Sequence, residues 1–435
     1  MPSINIFWFR RDLRLEDNSG LFNALKSGKP VLPVFIFDKN ILDELNDRYD
    51  KRVAFIHHRI SILHEELEKI GSGLLVYNGY PIEIFKKLVE ENNIHTVFTN
   101  NDYKPYAVQR DDQIKRYLLS KEVGFKSYKD HVIFEKDEIL KDDGTCYSIF
   151  TPYARKWMSR ISEMEVKPSY LSIPLNFVRG TPCTIPSLKE IGFEKADITF
   201  EDPIIDENII SIYHQTRNFP AVKGTSRIGI HLRFGTISIR TIVRKALSLN
   251  QSFLNELIWR EFFIQMLWRE PRLVLESCKK QYDNIVWRNN KSEFNRWTTG
   301  TTGYPIVDAG MRELNETGFM HNRVRMITAS FLVKHLLIDW RWGESYFAQK
   351  LLDYELASNV GNWQWVAGCG CDAAPYFRIF NPVLQTKKFD PQLVYIKKWV
   401  PELYSPSYPR PVVDHEMARL RCLQVFKNAI VQSKV

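Results

Sequence analysis

The sequence predicts two parts: an N-terminal α/β domain built on a parallel sheet, followed by an all-α domain. Short apolar runs alternate with amphipathic helical patterns over the first 100 residues. This strand, helix, strand order favours parallel strands joined by right-handed crossovers. From about residue 205 the pattern becomes helical, with breaks marked by Pro and Gly. The strand-like runs are residues 4–9, 31–37, 74–77 and 96–99, and the helical patterns between them include 53–70 and 82–91.

The domain boundaries follow from a change in composition. We expect the α/β domain over residues 1–130, a connector rich in Pro, Lys and Asp over 131–204, and the helical domain over 205–435. The sheet is Rossmann-like, but no GxGxxG follows its first strand and no GxxxxGK[ST] is present. A dehydrogenase or a P-loop enzyme is therefore not indicated by the sheet alone.

Charge and composition restrict the partners and the setting. Sixty Lys and Arg against 51 Asp and Glu give a formal charge of +9, which favours a polyanion such as nucleic acid. No apolar run approaches the roughly 18 residues of a membrane span, and the chain opens directly into a strand. We therefore expect a soluble, cytoplasmic, monomeric protein, associated with the nucleoid if it is bacterial. The cysteines form neither a CxxC pair nor a secreted framework, so we expect reduced thiols and no metal: Cys146, Cys183, Cys278, Cys369, Cys371 and Cys422.

The segment 353–382 carries the strongest indication of chemistry. Trp363 and Trp365 stand one residue apart, so they point in different directions and can serve a cofactor and a substrate. Asp353 and Asn359 offer the anion and the amide that the edge of an isoalloxazine ring needs. On this pattern alone, two Trp in an ordinary helical core remain an equal alternative.

A second segment is a candidate for binding a diphosphate. Residues 224–227, Gly-Thr-Ser-Arg, open a helical pattern and offer backbone N–H groups, two hydroxyls and a cation, with Tyr213 upstream. The same four residues are also typical of an ordinary helix N-cap, which is the alternative.

A helix over residues 255–263 places a carboxylate and an indole on one side. Glu256, Trp259, Arg260 and Phe263 follow the i, i+3, i+4, i+7 spacing. A carboxylate that hydrogen-bonds a base edge and a ring that stacks on the base suit a pair of thymines. The alternative is an amphipathic helix whose Glu256 pairs with a surface Lys.

Taken together, six segments in fixed order span nearly the whole chain, and the sequence resembles the photolyase/cryptochrome family. The segments are FWFRRDLRLEDNSGL (7–21), FPAVKGTSRIGIHLRFGTIS (219–238), NELIWREFF (255–263), TTGYPIVDAGMRELNETGFMHNR (301–323), MHNRVRMITASFLVKHLLIDWRWGESYF (320–347) and 353–382.

This resemblance implies an FAD-binding helical domain, a UV-damaged DNA substrate and a chain of three Trp that carries electrons to FAD. The three Trp lie far apart in the sequence, so spacing cannot show that they form a line. Arg325 would pair with Asp353, and Gly229 would offer only its backbone, because it lacks the usual hydroxyl there. FAD would contact Tyr213, Thr225, Ser226, Arg227, Ile228, Gly229, Phe253, Arg260, Asn322, Arg325, Asp353, Tyr354, Glu355 and Asn359. DNA would contact Arg217, Asn255, Glu256, Trp259, Phe263, Asn322, Arg323, Met326, Trp365 and Gln385. The catalytic residues would be Glu256, Asn359 and, from the flavin outward, Trp363, Trp340 and Trp287.

The subfamily follows from four positions. Asn322 and Met326 stand where (6-4) photolyases and animal cryptochromes carry His, and Trp259 stands where DASH cryptochromes carry Tyr. Asn359 is typical of cyclobutane pyrimidine dimer photolyases, whereas plant photosensors have Asp at that position. The chain ends about 50 residues after FRIFNP, so we expect no long signalling tail. The resemblance therefore implies a class I-like cyclobutane pyrimidine dimer photolyase. The alternatives are a cryptochrome photosensor without repair activity, a (6-4) photolyase and, more remotely, a flavin-free helical DNA-binding protein.

The antenna chromophore is the least determined feature. Tyr106 and Ala107, within residues 100–112, replace the amide and the Glu of relatives that use folate. Folate, a deazaflavin, a second flavin and an empty site all remain open.

Overall fold

The computed structural model describes residues 2–162, 176–180 and 184–432. Its contacts group the chain into two compact units that alternate along the sequence. The connector expected over 131–204 is divided between them, whereas the sequence predicts successive domains. The first unit comprises Met1–Glu138, Ser159–Ile205 and Ile228–Lys245, and the second comprises Ile139–Met158, Asp206–Arg227 and Ala246–Val435.

The first unit is built on a five-stranded parallel sheet in the order β3-β2-β1-β4-β5, which confirms the predicted α/β class. The central strand is buried along its whole length, as expected when helices cover both faces. The fifth strand was not predicted, because GFKSY is short, mixed in polarity and partly exposed at the sheet edge. In chain order the elements are β1 Ile4–Phe9, α1 Ser19–Lys26, β2 Val31–Asp38, α2 Lys39–Leu42, α3 Lys51–Glu68, β3 Leu75–Gly79, α4 Pro81–Glu91, β4 Ile94–Asn100, α5 Pro105–Ser120 and β5 Gly124–Tyr128.

The rest of the described chain is mostly helical, as predicted. Short 3₁₀ turns occupy Pro271–Val274 and Lys280–Asn284, and a π turn occupies Phe331–His335. The helices are α6 Phe150–Ser162, α7 Glu207–Ser211, α8 Tyr213–Thr216, α9 Gly229–Phe234, α10 Ile239–Leu249, α11 Gln251–Arg269, α12 Lys291–Thr298, α13 Pro305–Thr317, α14 Asn322–Ser330, α15 Trp340–Lys350, α16 Leu356–Ala367, α17 Pro382–Phe389, α18 Val394–Trp399 and α19 His415–Gln432.

Helix α16 packs closely against α11 and α15 because glycine stands at both contacts. A Cβ atom on Gly361 would lie 2.2 Å from the ring of Phe263, and one on Gly343 would lie 2.1 Å from the ring of Trp363. Any larger residue at either position would push the helices apart. The buried Lys334 holds the end of α16 by donating to the Ala367 carbonyl oxygen at 2.7 Å, a favourable place for a cation.

Candidate functional site

A cleft lies among α14, α15 and α16. It gathers six of the predicted cofactor residues and Trp363, although the sequence separates them by up to 41 positions. These residues converge because α14 and α16 pack together and the turn before α16 lines the same cleft. The lining residues are Asn322, Arg325, Met326, Ala329, Phe347, Leu351, Asp353, Tyr354, Glu355, Ser358, Asn359, Asn362, Trp363 and Val366.

Arg325 and Asp353 form the expected ion pair on the wall of this cleft. Two nearly parallel hydrogen bonds join them, Nη1 to Oδ1 at 3.1 Å and Nη2 to Oδ2 at 2.9 Å. Arg325 also donates from Nε to the Met320 carbonyl oxygen at 2.7 Å. The bidentate pair fixes the planes of both groups, so the cleft presents a cation and an anion in set positions.

Asn359 is oriented by a residue that sequence reasoning missed. Its amide nitrogen donates to the Glu344 carbonyl oxygen at 3.1 Å and to Glu344 Oε1 at 2.9 Å. Because both bonds use the nitrogen, the amide oxygen is the atom that Asn359 can offer to a ligand. Burial raises the pKa of Glu344. No sequence signal marked Glu344, since an isolated Glu in a helix is most often a surface residue.

The predicted diphosphate segment is not a conventional helix cap. The N-cap of α9 is Ile228, which makes no side-chain capping bond, so the alternative reading of an ordinary hydroxyl cap is wrong. Arg227 has a left-handed backbone, φ 52°, and its guanidinium lies 4.4 Å from the ring of Phe319. Tyr213 is buried and meets Phe253 edge to face at 5.2 Å. Ile228 and Gly229 group with the first unit, whereas Tyr213 and residues 225–227 group with the second.

The predicted lesion carboxylate has a partner that was not expected. Glu256 accepts a hydrogen bond from Arg217 Nη1 at 2.6 Å, and each side chain is about one-third exposed (32% and 34%). Burial raises the pKa of Glu256, while the charges of Arg217 and Arg323 oppose the shift. Glu256 therefore pairs with a predicted DNA contact, and not with a surface Lys. The pair lies between α8 and α11, which no helical spacing can reveal.

The other predicted DNA contacts lie on several elements of the second unit. Arg323 donates to Asn218 Oδ1 at 2.6 Å and contacts Met326 Sδ at 3.7 Å. The Arg378 guanidinium lies 5.9 Å from the ring of Trp365. The remaining members are Asn255, Trp259 and Phe263 on α11, Asn322 on α14 and Gln385 on α17, and Arg260, predicted as an FAD contact, also lies on α11. Their roles toward DNA stay a prediction.

Local contacts link the segments that carry the three Trp, whose order from the flavin outward stays a prediction. The ring of Trp363 lies over Gly343, one turn beyond Trp340 on α15. Arg288, next to Trp287, donates its backbone N–H to the Leu337 carbonyl oxygen at 2.8 Å, three residues before Trp340. Trp363 and Trp340 are buried and Trp287 is partly buried. This order would lead from the cleft outward, and electron transfer along it stays a prediction.

In the first unit, the two antenna positions lie near charged and aromatic groups. Tyr106 donates its hydroxyl to Asp38 Oδ2 at 2.6 Å, and Ala107 is buried. The Arg110 guanidinium lies 4.8 Å from the ring of Trp8 and 5.5 Å from that of Tyr106. These contacts do not select among the four antenna alternatives.

The prediction of reduced thiols was wrong for one pair. Cys278 and Cys371 form a disulfide with a Cα–Cα distance of 5.7 Å, across a sequence separation of 93 residues. Such a separation carries no spacing signal, which is why sequence reasoning missed it. Cys369 and Cys422 are free thiols, Cys146 is not part of this disulfide, and Cys183 lies outside the described residues.

No described helix is both long enough and apolar enough to cross a membrane. Among residues 2–162, 176–180 and 184–432, no group of three or more His, Cys, Asp and Glu side chains could hold a metal ion.

Breaking the disulfide should destabilise the second unit. Reduction is expected to lower the free energy of unfolding by about 2–4 kcal/mol, because the bond closes a large loop and restricts the unfolded chain. Urea unfolding followed by circular dichroism, with and without reductant, measures this difference. The double variant Cys278→Ser/Cys371→Ser should resemble the reduced protein, and Cys146→Ser should keep the reductant dependence. Coincident curves for the oxidised and reduced wild type would contradict the prediction.

Comparison with known proteins agrees with the fold. The model of a DNA photolyase domain matches residues 5–170, and that of the FAD binding domain of DNA photolyase matches residues 253–407. The chain therefore belongs to the photolyase/cryptochrome family, as its motifs predicted. A curated relative from Halobacterium salinarum, a deoxyribodipyrimidine photo-lyase, is 34% identical over 482 residues, covering 98% of this chain and 99% of that protein.

Solved structures of the family share the fold over nearly the full chain. A class III photolyase from Agrobacterium tumefaciens has a TM-score of 0.85 at 32% identity, covering 99% of this chain and 98% of its own. An archaeal photolyase from Sulfolobus tokodaii with two FAD molecules has a TM-score of 0.82 at 34% identity, with 98% and 99% covered. A Synechocystis cryptochrome has a TM-score of 0.83 at 27% identity, with the same coverage.

The side chains of the cleft fit a flavin. The matched FAD binding domain includes the whole cleft. Within it, Arg325 supplies donors, Asp353 supplies an anion and Asn359 supplies an amide oxygen, the groups that the polar edge of a flavin ring requires. The buried Trp363 forms an apolar wall. Arg325, Asp353 and Asn359 would therefore hold the polar edge of FAD.

Proposed function

We propose that the protein is a class I-like cyclobutane pyrimidine dimer photolyase, which repairs UV-damaged DNA with light. The single observation that carries this choice within the family is the presence of Asn322 and Met326 on the wall of the cleft. An amide and a thioether are not general acids at neutral pH. Splitting a cyclobutane ring requires that one electron be donated to the dimer and then returned, with little net proton transfer. A cleft wall without a general acid is therefore sufficient for this reaction.

Bound, reduced FAD would supply the chemistry of the reaction, the light-driven donation and recovery of one electron. The chain would bind and orient the lesion. Glu256 would hydrogen-bond a base edge of the dimer. Burial raises the pKa of its carboxyl, while the charges of Arg217 and Arg323 oppose the shift. Binding the dimer would then compete with Arg217, the present partner of Glu256.

Trp259 and Trp365 would stack on the two bases, with Met326 packed beneath them. A dimer is already distorted, which lowers the cost of moving it out of the duplex. The phosphates would be held by the basic surface that the formal charge of +9 indicates, with Arg323 as the first candidate. The relatives named as photo-lyases support this proposal.

The competing function is a cryptochrome photosensor without repair activity. The similarity to the Synechocystis cryptochrome supports this alternative. Asn359 and the Met326 wall favour the repair enzyme. The S. tokodaii structure with two FAD molecules supports a second flavin as one antenna candidate. Extraction and mass analysis of every chromophore that copurifies would identify the antenna directly.

Repair under light tests the proposed function. The protein, with its FAD chemically reduced, is mixed with an oligonucleotide that contains one cyclobutane thymine dimer, and restored thymines are counted after blue light or darkness. Repair is expected only under light, and Glu256→Gln should lower its yield while FAD stays bound. Bound, reduced FAD without any light-dependent repair would instead support the photosensor.

A further inference from the structure

Trp259 is held by an aromatic ring from outside its own helix. Phe150 lies flat against the indole, with ring centroids 3.7 Å apart and an angle of 4° between the planes. Within α11, Phe262 meets the indole edge-on at 86°, and Phe263 lies at 5.4 Å with a 30° tilt. Trp259 remains partly exposed. One face of the ring is therefore covered by Phe150.

Phe150 is a fixed part of the fold. It is the first residue of α6, and α6 is anchored by Trp157, which is fully buried and donates from Nε1 to Glu261 Oε2 at 2.7 Å. One turn after Phe150, the buried Tyr153 packs on Phe262 at 5.3 Å. These contacts hold the start of α6 against α11, so Phe150 forms a wall behind Trp259.

The loop after α16 also reaches the start of α6. Burial raises the pKa of the Asp372 carboxyl, and its interaction with the backbone N–H of Phe150 opposes that shift. Asp372 follows Cys371, which the disulfide joins to Cys278. A negative side chain at the first residue of a helix is favourable, and here it supports the residue that carries the stacked ring.

The geometry of the Phe150–Trp259 stack shows that the surrounding fold imposes it. Two aromatic rings left to themselves prefer an offset or edge-to-face arrangement over a direct sandwich. The near-parallel pair at 3.7 Å is therefore imposed by the packing of α6 on α11. An indole backed in this way has lost its rotational freedom before any ligand binds, so a base that stacks on it costs less ordering entropy.

We propose that Phe150 is a positioning residue that holds Trp259 with a single face available to a base of the lesion. The inference rests on the proposed function and adds a residue that supports lesion recognition without touching the lesion. It also implies that Trp259 accepts one base ring and does not insert between two. No sequence signal pointed to Phe150, because 109 positions separate it from Trp259.

The test compares three variants of the FAD-loaded protein. Phe150→Leu removes the ring, Phe150→Tyr keeps it, and Tyr147→Leu removes a nearby ring that packs on Tyr153 and not on Trp259. The measured quantity is the ratio of the dissociation constants for undamaged and dimer-containing duplex. We expect Phe150→Leu to lower this ratio about 3- to 10-fold, and the other two variants to keep the wild-type ratio.

A folding readout accompanies the binding measurement. FAD content and melting temperature show whether each variant is intact. If Phe150→Leu is folded and keeps the wild-type ratio, or weakens both duplexes equally, the positioning role is refuted.

A double-mutant cycle separates this inference from the proposed function. The unfolding free energies of Phe150→Leu, Trp259→Leu and the double variant give the coupling between the two rings without any DNA. A wild type without preference for dimer DNA would overturn the proposed function, whatever the coupling. Zero coupling would overturn the role of Phe150, even if the wild type repairs dimers.

Discussion

Trp363→Phe is expected to largely abolish the photoreduction of oxidised FAD. Trp363 is buried, lines the cleft and lies over Gly343, one turn from Trp340. Phe is much harder to oxidise than Trp, so the first step of the proposed chain would be lost. Repair by chemically reduced protein should persist, because it draws no electron from the chain. Absorbance of the flavin during blue illumination measures the first effect, and dimer repair measures the second.

Trp297→Phe is the matched control for this variant. Trp297 is also fully buried, and its ring centroid lies 6.2 Å from that of Trp363. It is not part of the proposed chain, so Trp297→Phe should keep photoreduction. Normal photoreduction in Trp363→Phe would contradict the chain. Loss of photoreduction in Trp297→Phe would show that electrons travel through Trp297.

Trp259→Ala is expected to weaken binding of dimer-containing duplex by roughly 1–3 kcal/mol, the cost of a lost base stack, with little effect on undamaged duplex. Arg323→Ala should weaken both duplexes alike, because a phosphate contact carries no lesion information. Fluorescence titration with the two duplexes measures the difference. Equal behaviour of the two variants would show that the division between lesion and backbone contacts is wrong.

The salt dependence of binding identifies the phosphate contact independently. The logarithm of the binding constant should fall linearly with the logarithm of salt concentration, by about 0.9 per phosphate neutralised. Arg323→Ala should therefore reduce the slope by about 0.9, whereas Trp259→Ala should leave it unchanged. An unchanged slope in Arg323→Ala would remove Arg323 from the phosphate contacts.

Features with a local periodic pattern could be predicted from the sequence. The four strands β1 to β4 have apolar runs, and the helices carry regular amphipathic spacing, so the order of elements followed directly. The strand β5 was missed because its five residues are mixed in polarity. The family motifs also predicted the pairing of Arg325 with Asp353 correctly, which sequence spacing alone could not predict.

Contacts between distant segments could not be predicted. Arg217 with Glu256, Asn359 with Glu344, and the Cys278–Cys371 disulfide all join different elements. None of them leaves a spacing signal, because tertiary packing decides which helix faces meet. The family resemblance supplied the Arg325–Asp353 pair but none of these three contacts.

The lesion type that the protein repairs tests the central claim most directly. One sample of the reduced protein is illuminated with two oligonucleotides, one carrying a cyclobutane thymine dimer and the other a (6-4) product. Reversing a (6-4) product requires a proton donor to move a hydroxyl group, and Asn322 and Met326 stand where (6-4) enzymes carry His. We expect light-dependent repair of the cyclobutane dimer and negligible repair of the (6-4) product. Efficient (6-4) repair, or failure on both lesions with FAD bound and reduced, would contradict the assignment.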